Sequence, residues 1–286
     1  MRDILITTET GSDMPDAIAE KLGVSIVPMH VILDGEDLPD CSFPIQRIYD
    51  YYNTTKKVPT TSATNIGEYL DFFNELRRIH PNSIILHFAY SSGASSTYQN
   101  VINAVEELED IYIIDTKSVT AGCIAHIASC WPIIEARKHE IADFAAFAAE
   151  LETLAGKVHC SFVPGNLDYL KAGGRVSNAA YLGATLLKIK PMIELDEEGR
   201  LVVSKKYRGT LLNFADTYVR EYIEKHDLDL ETLFLMHTPG TDPAILEKMR
   251  DTAIRCGYRE VVNITTGCVI TCHAGPGAVG LAGVSR

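Results

Sequence analysis

Apolar positions along the chain follow two rhythms. Short runs rich in β-branched and aliphatic residues occur as ILIT at 4–7, VSIVPMHVIL at 24–33, SIILHFA at 83–89 and IYIID at 111–115. Between and after them, apolar residues recur every three to four positions in Pro15–Leu22, Ile45–Tyr52, Ile66–Ile79, Thr97–Leu108 and Val119–Arg137. The first rhythm predicts strands and the second amphipathic helices. Runs such as SIILHFA lack polar alternation, as strands covered on both faces do. Strands separated by helices of this length predict βαβ units and a mostly parallel sheet with flanking helices.

Past Lys157 the style of strand changes. VHCSFV at 158–163, PMIEL at 191–195, RLVVSKKY at 200–207, LFLMH at 233–237 and VVNIT at 261–265 read as strands. PMIEL and RLVVSKKY face each other across DEEG at 196–199, a hairpin-like turn. Helical patterns follow at Leu211–Lys225 and Pro243–Cys256. The expected fold is therefore α/β with two α/β domains. Residues 1–156 form the first, with a mostly parallel sheet, and residues 157–286 the second, with a mixed sheet and helices. No internal repeat, low-complexity stretch or linker interrupts them.

Composition narrows the functional classes. The 286-residue chain is 46% hydrophobic, within the ordinary range for a folded globular protein. No window approaches eighteen uninterrupted apolar residues, so no integral membrane association is expected. The opening MRDILITTETGSD lacks the apolar core of a signal peptide, which points to a cytoplasmic protein. Thirty-eight acidic residues against 26 basic ones leave a net charge of −12, which disfavours nucleic acid as a partner. Basic residues cluster weakly, at Lys188–Lys190 and Lys205–Arg208. The seven cysteines have no regular spacing and do not suggest a disulfide framework. Cys268 and Cys272 flank a strand-like VIT and precede His273, yet no second cysteine pair lies at a fitting distance, so no metal is expected.

The candidate chemistry sits in four stretches. AYSSGASSTY at 89–98 crowds Ser91, Ser92, Ser95, Ser96 and Thr97 around Gly93, between the strand SIILHFA and the helix that begins at Thr97. That is the carboxyl end of a strand, where open α/β sheets bind ligands, and the N-terminus of a helix, where unpaired N–H groups attract anions. Ser95 or Ser96 could serve as the helix cap, but one hydroxyl suffices for that. VPTTSATNIGEY at 58–69 again places hydroxyls, including Thr61 and Ser62, just ahead of a helix. LDYLKAGGRVSN at 167–178 ends a helix with a glycine pair and then presents Arg175. CHAGPGAVGLAG at 272–283 sets His273 before a loop with glycines at 275, 277, 280 and 283.

These four stretches resemble the characteristic segments of the DegV family, bacterial fatty-acid-binding proteins. SSGASST is similar to the family's SSGxSGT loop, PTTSATNIGEY to its TSQP segment, KAGGRVS to its KGGRIS turn and HAGPGAVG to its HxGPG end. TTETGSDMP is similar to TDSTADLP, and IIDTKSVTAG to VIDSKSxSxG, so the likeness runs over nearly the whole chain in the family's order. Departures are Ser96 for a glycine, Ala63 and Thr64 for Gln-Pro, and Glu9 with Thr10 for Asp-Ser.

The resemblance implies a long-chain fatty acid held between the domains, and no cofactor. Its carboxylate would rest on the hydroxyls of Thr61 and Ser95. Arg175 and His273 would complete the hydrogen-bond network, with Ser62, Ser91 and Ser92 as secondary contacts. It also implies a non-enzyme that presents the acid to a separate fatty acid kinase, which forms an acyl phosphate, with Arg208 offered to that partner. Consistently, the chain has no GxxxxGK[ST] phosphate loop. Neutral hydroxyl donors can hold a carboxylate without burying a permanent ion pair. The acyl chain would supply most of the affinity: sixteen carbons at about 0.8 kcal/mol per methylene gain on the order of 10 kcal/mol before ordering costs. The small and apolar residues of AAYLGATLLKIKPMI at 179–193 suit a tunnel for it.

Two other classes compete. A serine hydrolase acting on an acyl ester could use Ser92 or Ser95 with His237 or His273 and Asp115, although the G-x-S-x-G elbow is missing. A module binding a phosphorylated small molecule could use the same hydroxyl-rich helix N-terminus with Arg175.

Overall fold

The computed structural model describes residues 2–176 and 189–286. From the N-terminus, β1 (Ile4–Glu9) leads through a short 3-10 turn to α1 (Asp16–Leu22) and β2 (Val24–Val27). The run 24–33, expected as one strand, is two. Pro28 carries no N–H for a ladder, and after it β3 (His30–Leu33) enters a different sheet. β3 pairs with β4 (Glu36–Pro39) and, after α2 (Gln46–Thr55), with β5 (Thr60–Ser62), forming a small antiparallel sheet of order β4–β3–β5.

The chain then alternates as expected through α3 (Ile66–Ile79), β6 (Ile84–Ala89), α4 (Thr97–Val105), β7 (Ile111–Asp115) and α5 (Ala121–Arg137). α3 opens with a capping box in which Asn65 and Glu68 exchange side-chain and backbone bonds. β1, β2, β6 and β7 make one parallel sheet of order β2–β1–β6–β7. All six residues of β6 are buried, in keeping with a central strand covered on both faces.

A helix that the apolar rhythm did not announce, α6 (Phe144–Thr153), precedes the second set of strands. These are β8 (Val158–Val163), then, after α7 (Leu167–Gly173), β9 (Ile189–Leu195) and β10 (Leu201–Arg208). α8 (Leu211–Lys225), β11 (Thr232–His237), α9 (Pro243–Arg255), β12 (Glu260–Thr265), α10 (Cys268–Ala274) and β13 (Val279–Val284) complete the chain. The mixed sheet has the order β10–β9–β8–β13–β11–β12, with β11 and β12 parallel and the remaining pairs antiparallel. Of the tunnel stretch expected at 179–193, residues 179–188 lie outside the described residues, as does Lys188 of the basic cluster; the remainder belongs to β9.

Two expectations near the C-terminus are corrected. VIT at 269–271 is not strand but the middle of α10, whose first N–H groups find buried carboxylates. The glycine-rich 279–284 is not loop but β13, a buried strand between β8 and β11. Gly280 permits that position: a Cβ there would stand 2.6 Å from the Ser161 carbonyl oxygen and 2.7 Å from Met236 Cε.

α5 joins the two large sheets. Its N-terminal half is buried on every side, and Ile124 and Ile127 share one core with Leu86 and Ile114 of the parallel sheet and with Ile193 and Ala282 of the mixed sheet. α8 and α9 cover the mixed sheet's other face around Tyr218 and Leu235. Among the described residues no helix is long and apolar enough to cross a membrane.

Candidate functional site

In the parallel sheet, β1 leads to β2 on one side while β6 and β7 lie on the other. The loops after β1 and β6 therefore diverge at the carboxyl edge and leave a crevice. A narrow cleft, part of it open to solvent, lies at that edge, against the loop after β6. Its walls come from all three sheets and α10: Thr61 and Ser62 on β5, Tyr90 and Ser95 after β6, Phe162 and Met236 on the mixed sheet, Ile270 and His273 on α10.

Of the expected site residues, the structure brings Thr61, Ser62, Ser95, Arg175 and His273 to this cleft. Thr61 Oγ1 lies 2.9 Å from His273 Nε2 across 212 residues of chain. His273 Nδ1 is buried without a partner among the described residues. Gly173, the last residue of α7, packs against that edge of the ring, and a Cβ there would stand 2.3 Å from Nδ1. Arg175 follows on an exposed turn and donates from Nη1 to the Gly173 carbonyl oxygen at 2.9 Å. Ser95 Oγ accepts the backbone N–H of Thr97 at 3.2 Å and lies 2.8 Å from Thr97 Oγ1, while Ser96, at the N-cap of α4, makes no side-chain cap bond.

Ser91 and Ser92 do not line the cleft. Ser91 Oγ donates to the Gly199 carbonyl oxygen at 2.7 Å, and Ser92 Oγ to Asp115 Oδ2 at 2.6 Å. Gly93 leaves room for the β9–β10 turn, because a Cβ there would stand 2.4 Å from the Glu198 carbonyl oxygen. The first half of the hydroxyl cluster thus docks the hairpin of the mixed sheet onto the parallel one. Arg208 is not among the cleft-lining residues and is exposed at the end of edge strand β10.

Residue patterns alone did not single out the acids that hold this arrangement. Asp13 Oδ1 accepts the Gly267 N–H at 2.7 Å, and Asp40 Oδ1 accepts the N–H groups of Cys268 and Val269 at 2.8 and 3.1 Å. Both acids are buried, and burial raises their carboxyl pKa values. Together they fix the N-terminus of α10, the helix that carries His273. Glu9 is fully buried below the cleft. Its Oε1 accepts from Tyr69 at 2.5 Å and lies 2.8 Å from His87 Nε2, and its Oε2 accepts the Tyr90 N–H at 2.9 Å. Asp13 and Glu9 both lie in TTETGSDMP, so a motif was visible there although the roles were not.

No hydrolytic triad assembles among the described residues. Ser92 bonds Asp115 directly with no imidazole between them, Ser95 bonds Thr97, and His237 Nε2 meets Thr265 Oγ1 at 3.3 Å. Cys268 donates to the Phe43 carbonyl oxygen at 3.5 Å.

Burial, and then the nearby Arg175 charge, push the His273 pKa down to about 4 from an ordinary 6.5. Between those values the unfolded chain binds a proton that the folded chain does not. The histidine's contribution to stability is therefore present above pH 6.5 and is lost as pH falls toward 4. We predict that the stability difference between the native protein and His273→Gln shrinks over that interval in denaturant titrations. Parallel pH profiles would refute it.

Comparison with known proteins gives a consistent result. A family model described as uncharacterised proteins of the DegV family matches residues 3–286. A DegV domain-containing protein of Clostridium acetobutylicum is 26% identical over 290 residues, covering 98% of each chain. One from Staphylococcus aureus is 26% identical over 282 residues, covering 97% of each. Among solved structures, a DegV family protein from Thermus thermophilus, described for its fatty acid binding, is 25% identical with a TM-score of 0.86 and full coverage of both chains. A DegV family protein from Eubacterium eligens loaded with heptadecanoic acid has a TM-score of 0.81 at 18% identity, covering 99% of this chain and 100% of that one, a likeness of fold.

Proposed function

Because the chain belongs to the DegV family, we propose that it binds one long-chain fatty acid, such as hexadecanoate, in the cleft. The carboxylate rests at the Thr61–Ser95 end and the acyl chain runs between the parallel and mixed sheets. The observation that carries this reading is the Thr61–His273 pair in the wall of an otherwise largely apolar cleft. With its pKa near 4, His273 is neutral at pH 7. In the tautomer that carries the proton on Nε2, it donates to Thr61 Oγ1, and Thr61 is left to turn its own O–H toward an anion. Ser95 adds a second neutral O–H, and Arg175 at the exposed rim adds positive charge without being buried.

Hydrogen bonds to a carboxylate are charge-assisted and stronger than neutral ones. They orient the head group while burial of the methylenes supplies most of the affinity. The site binds rather than turns over: the hydroxyl of Ser95 bonds Thr97 and that of Ser92 bonds Asp115, and the acid is presented to a separate kinase that phosphorylates the carboxylate. Arg208, exposed and unpaired among the described residues, suits contact with that partner. The protein works in the cytoplasm.

Native mass spectrometry of protein purified from cells is expected to show one bound species with the mass of a long-chain fatty acid, released as the free acid on extraction. A phosphorus-containing ligand would replace this reading with the phosphorylated-molecule module. An empty protein without affinity for long-chain acids would end it.

A further inference from the structure

Among the described residues, the cleft is lined by a nearly buried polar side chain to which neither the fold nor the proposed head-group contacts give a partner. Besides Thr61, three threonines line it with engaged hydroxyls: Thr120 donates to Asp13, Thr238 to the Gly275 carbonyl oxygen, and Thr266 pairs with Thr271. Tyr90 differs. It is 8% exposed and its ring lines the cleft. Its backbone N–H goes to Glu9, and its phenol oxygen makes no hydrogen bond to any described residue. The unpaired hydroxyls of Tyr169, Tyr222 and Tyr258 belong to residues outside the cleft lining.

The ring is held in place. Gly11 lets it lie close, since a Cβ there would stand 2.9 Å from Tyr90 Cδ2 and 2.7 Å from Met29 Sδ. The phenol lies within electrostatic reach of Cys123 on α5, of Asp13 and Cys160, and of the Arg175 charge at the rim. An unsubstituted acyl chain offers this O–H no acceptor and excludes the water that would otherwise serve.

We propose that Tyr90 is a specificity residue whose phenol hydrogen-bonds an oxygen carried on the acyl chain, so that the cleft favours a hydroxy fatty acid over the unsubstituted acid. The proposal rests on the reading that the cleft holds a fatty acid. It adds the class of acid preferred.

The test compares dissociation constants of the delipidated full-length protein for hexadecanoic acid and for a series of monohydroxyhexadecanoic acids, in the native chain and in Tyr90→Phe. A satisfied rather than orphaned buried hydroxyl changes affinity by about five- to a hundredfold. At least one isomer is therefore expected to bind the native chain at least about fivefold tighter than hexadecanoic acid. Tyr90→Phe is expected to erase that advantage and to bind hexadecanoic acid at least as tightly as the native chain does, because the orphaned hydroxyl is gone. The proposal is overturned if hexadecanoic acid binds but no isomer is preferred, a result that needs no variant. It is also overturned if the preference survives Tyr90→Phe, or if the variant weakens hexadecanoic acid equally, which would make the phenol a head-group or packing contact. If the native chain binds none of these acids, the fatty-acid reading itself falls and this inference with it.

Discussion

Replacing Thr61 and Ser95 together by alanine is expected to weaken hexadecanoate binding by at least about a hundredfold, with little change in unfolding midpoint. Each hydroxyl donates to an ionised group in the proposed complex, and such bonds contribute about 1.5–3 kcal/mol apiece. Their joint loss therefore exceeds two decades in Kd. The fold tolerates the change because neither side chain belongs to the apolar core. Among the described residues, the Thr61 hydroxyl gives up its contact with His273, and Ser95 its contacts with Thr97. Ser92→Ala is the contrast: its hydroxyl is held by Asp115 and lies off the cleft, so affinity is expected to stay within about threefold. Calorimetric titration separates the two outcomes. Native-like affinity in the double variant would show that the head group rests elsewhere.

Glu9→Ala is expected to cost about 3–5 kcal/mol of folding stability, among the largest single effects in the chain. The carboxylate is completely buried and serves three donors: the Tyr69 hydroxyl, His87 Nε2 and the Tyr90 N–H. Burial opposes its charge, but His87 and the hydrogen bonds outweigh that and hold its pKa below the usual value. Alanine leaves all three donors without a partner where water does not reach. Gln in the same place keeps one acceptor oxygen and is expected to cost less. By linkage, a depressed carboxyl pKa contributes stability above its ordinary pKa that is lost as pH falls through the folded value. The native protein is therefore expected to lose more stability than Glu9→Gln on acidification below pH 4.5. Equal denaturant midpoints for native and Glu9→Ala proteins at pH 7 would refute the assignment.

Much of the fold was legible because apolar periodicity reports burial directly. β6, β7, β8, α3, α8 and the β9–β10 hairpin lie within a few residues of where the pattern put them. Failures fell where tertiary partners outvote local preference. VIT reads as strand from its β-branched residues, yet Asp40 accepts the first N–H groups of the segment from 228 residues away and stabilises a helix. Glycines 280 and 283 read as loop, yet they sit in a central strand because neighbouring strands and Met236 leave no room for a Cβ at 280. α6 was missed because its apolar residues, FAAFAAEL, are mostly small alanines that mark no clear stripe.

Taken by itself, the sequence determined the two kinds of sheet, the helical crossovers, the family motifs and the stretches in which polar chemistry is concentrated. Those properties are local, since hydrophobic period and turn composition act over a few residues. Only the tertiary structure decided which hydroxyl does what. Ser91 and Ser92 hold the hairpin and Asp115, while Thr61 meets a histidine 212 residues away and Tyr90 brings to the cleft a phenol with no hydrogen bond among the described residues. A hydroxyl bonds whichever group lies within about 3 Å and in line, and at this site those neighbours come from chain segments that only folding brings together.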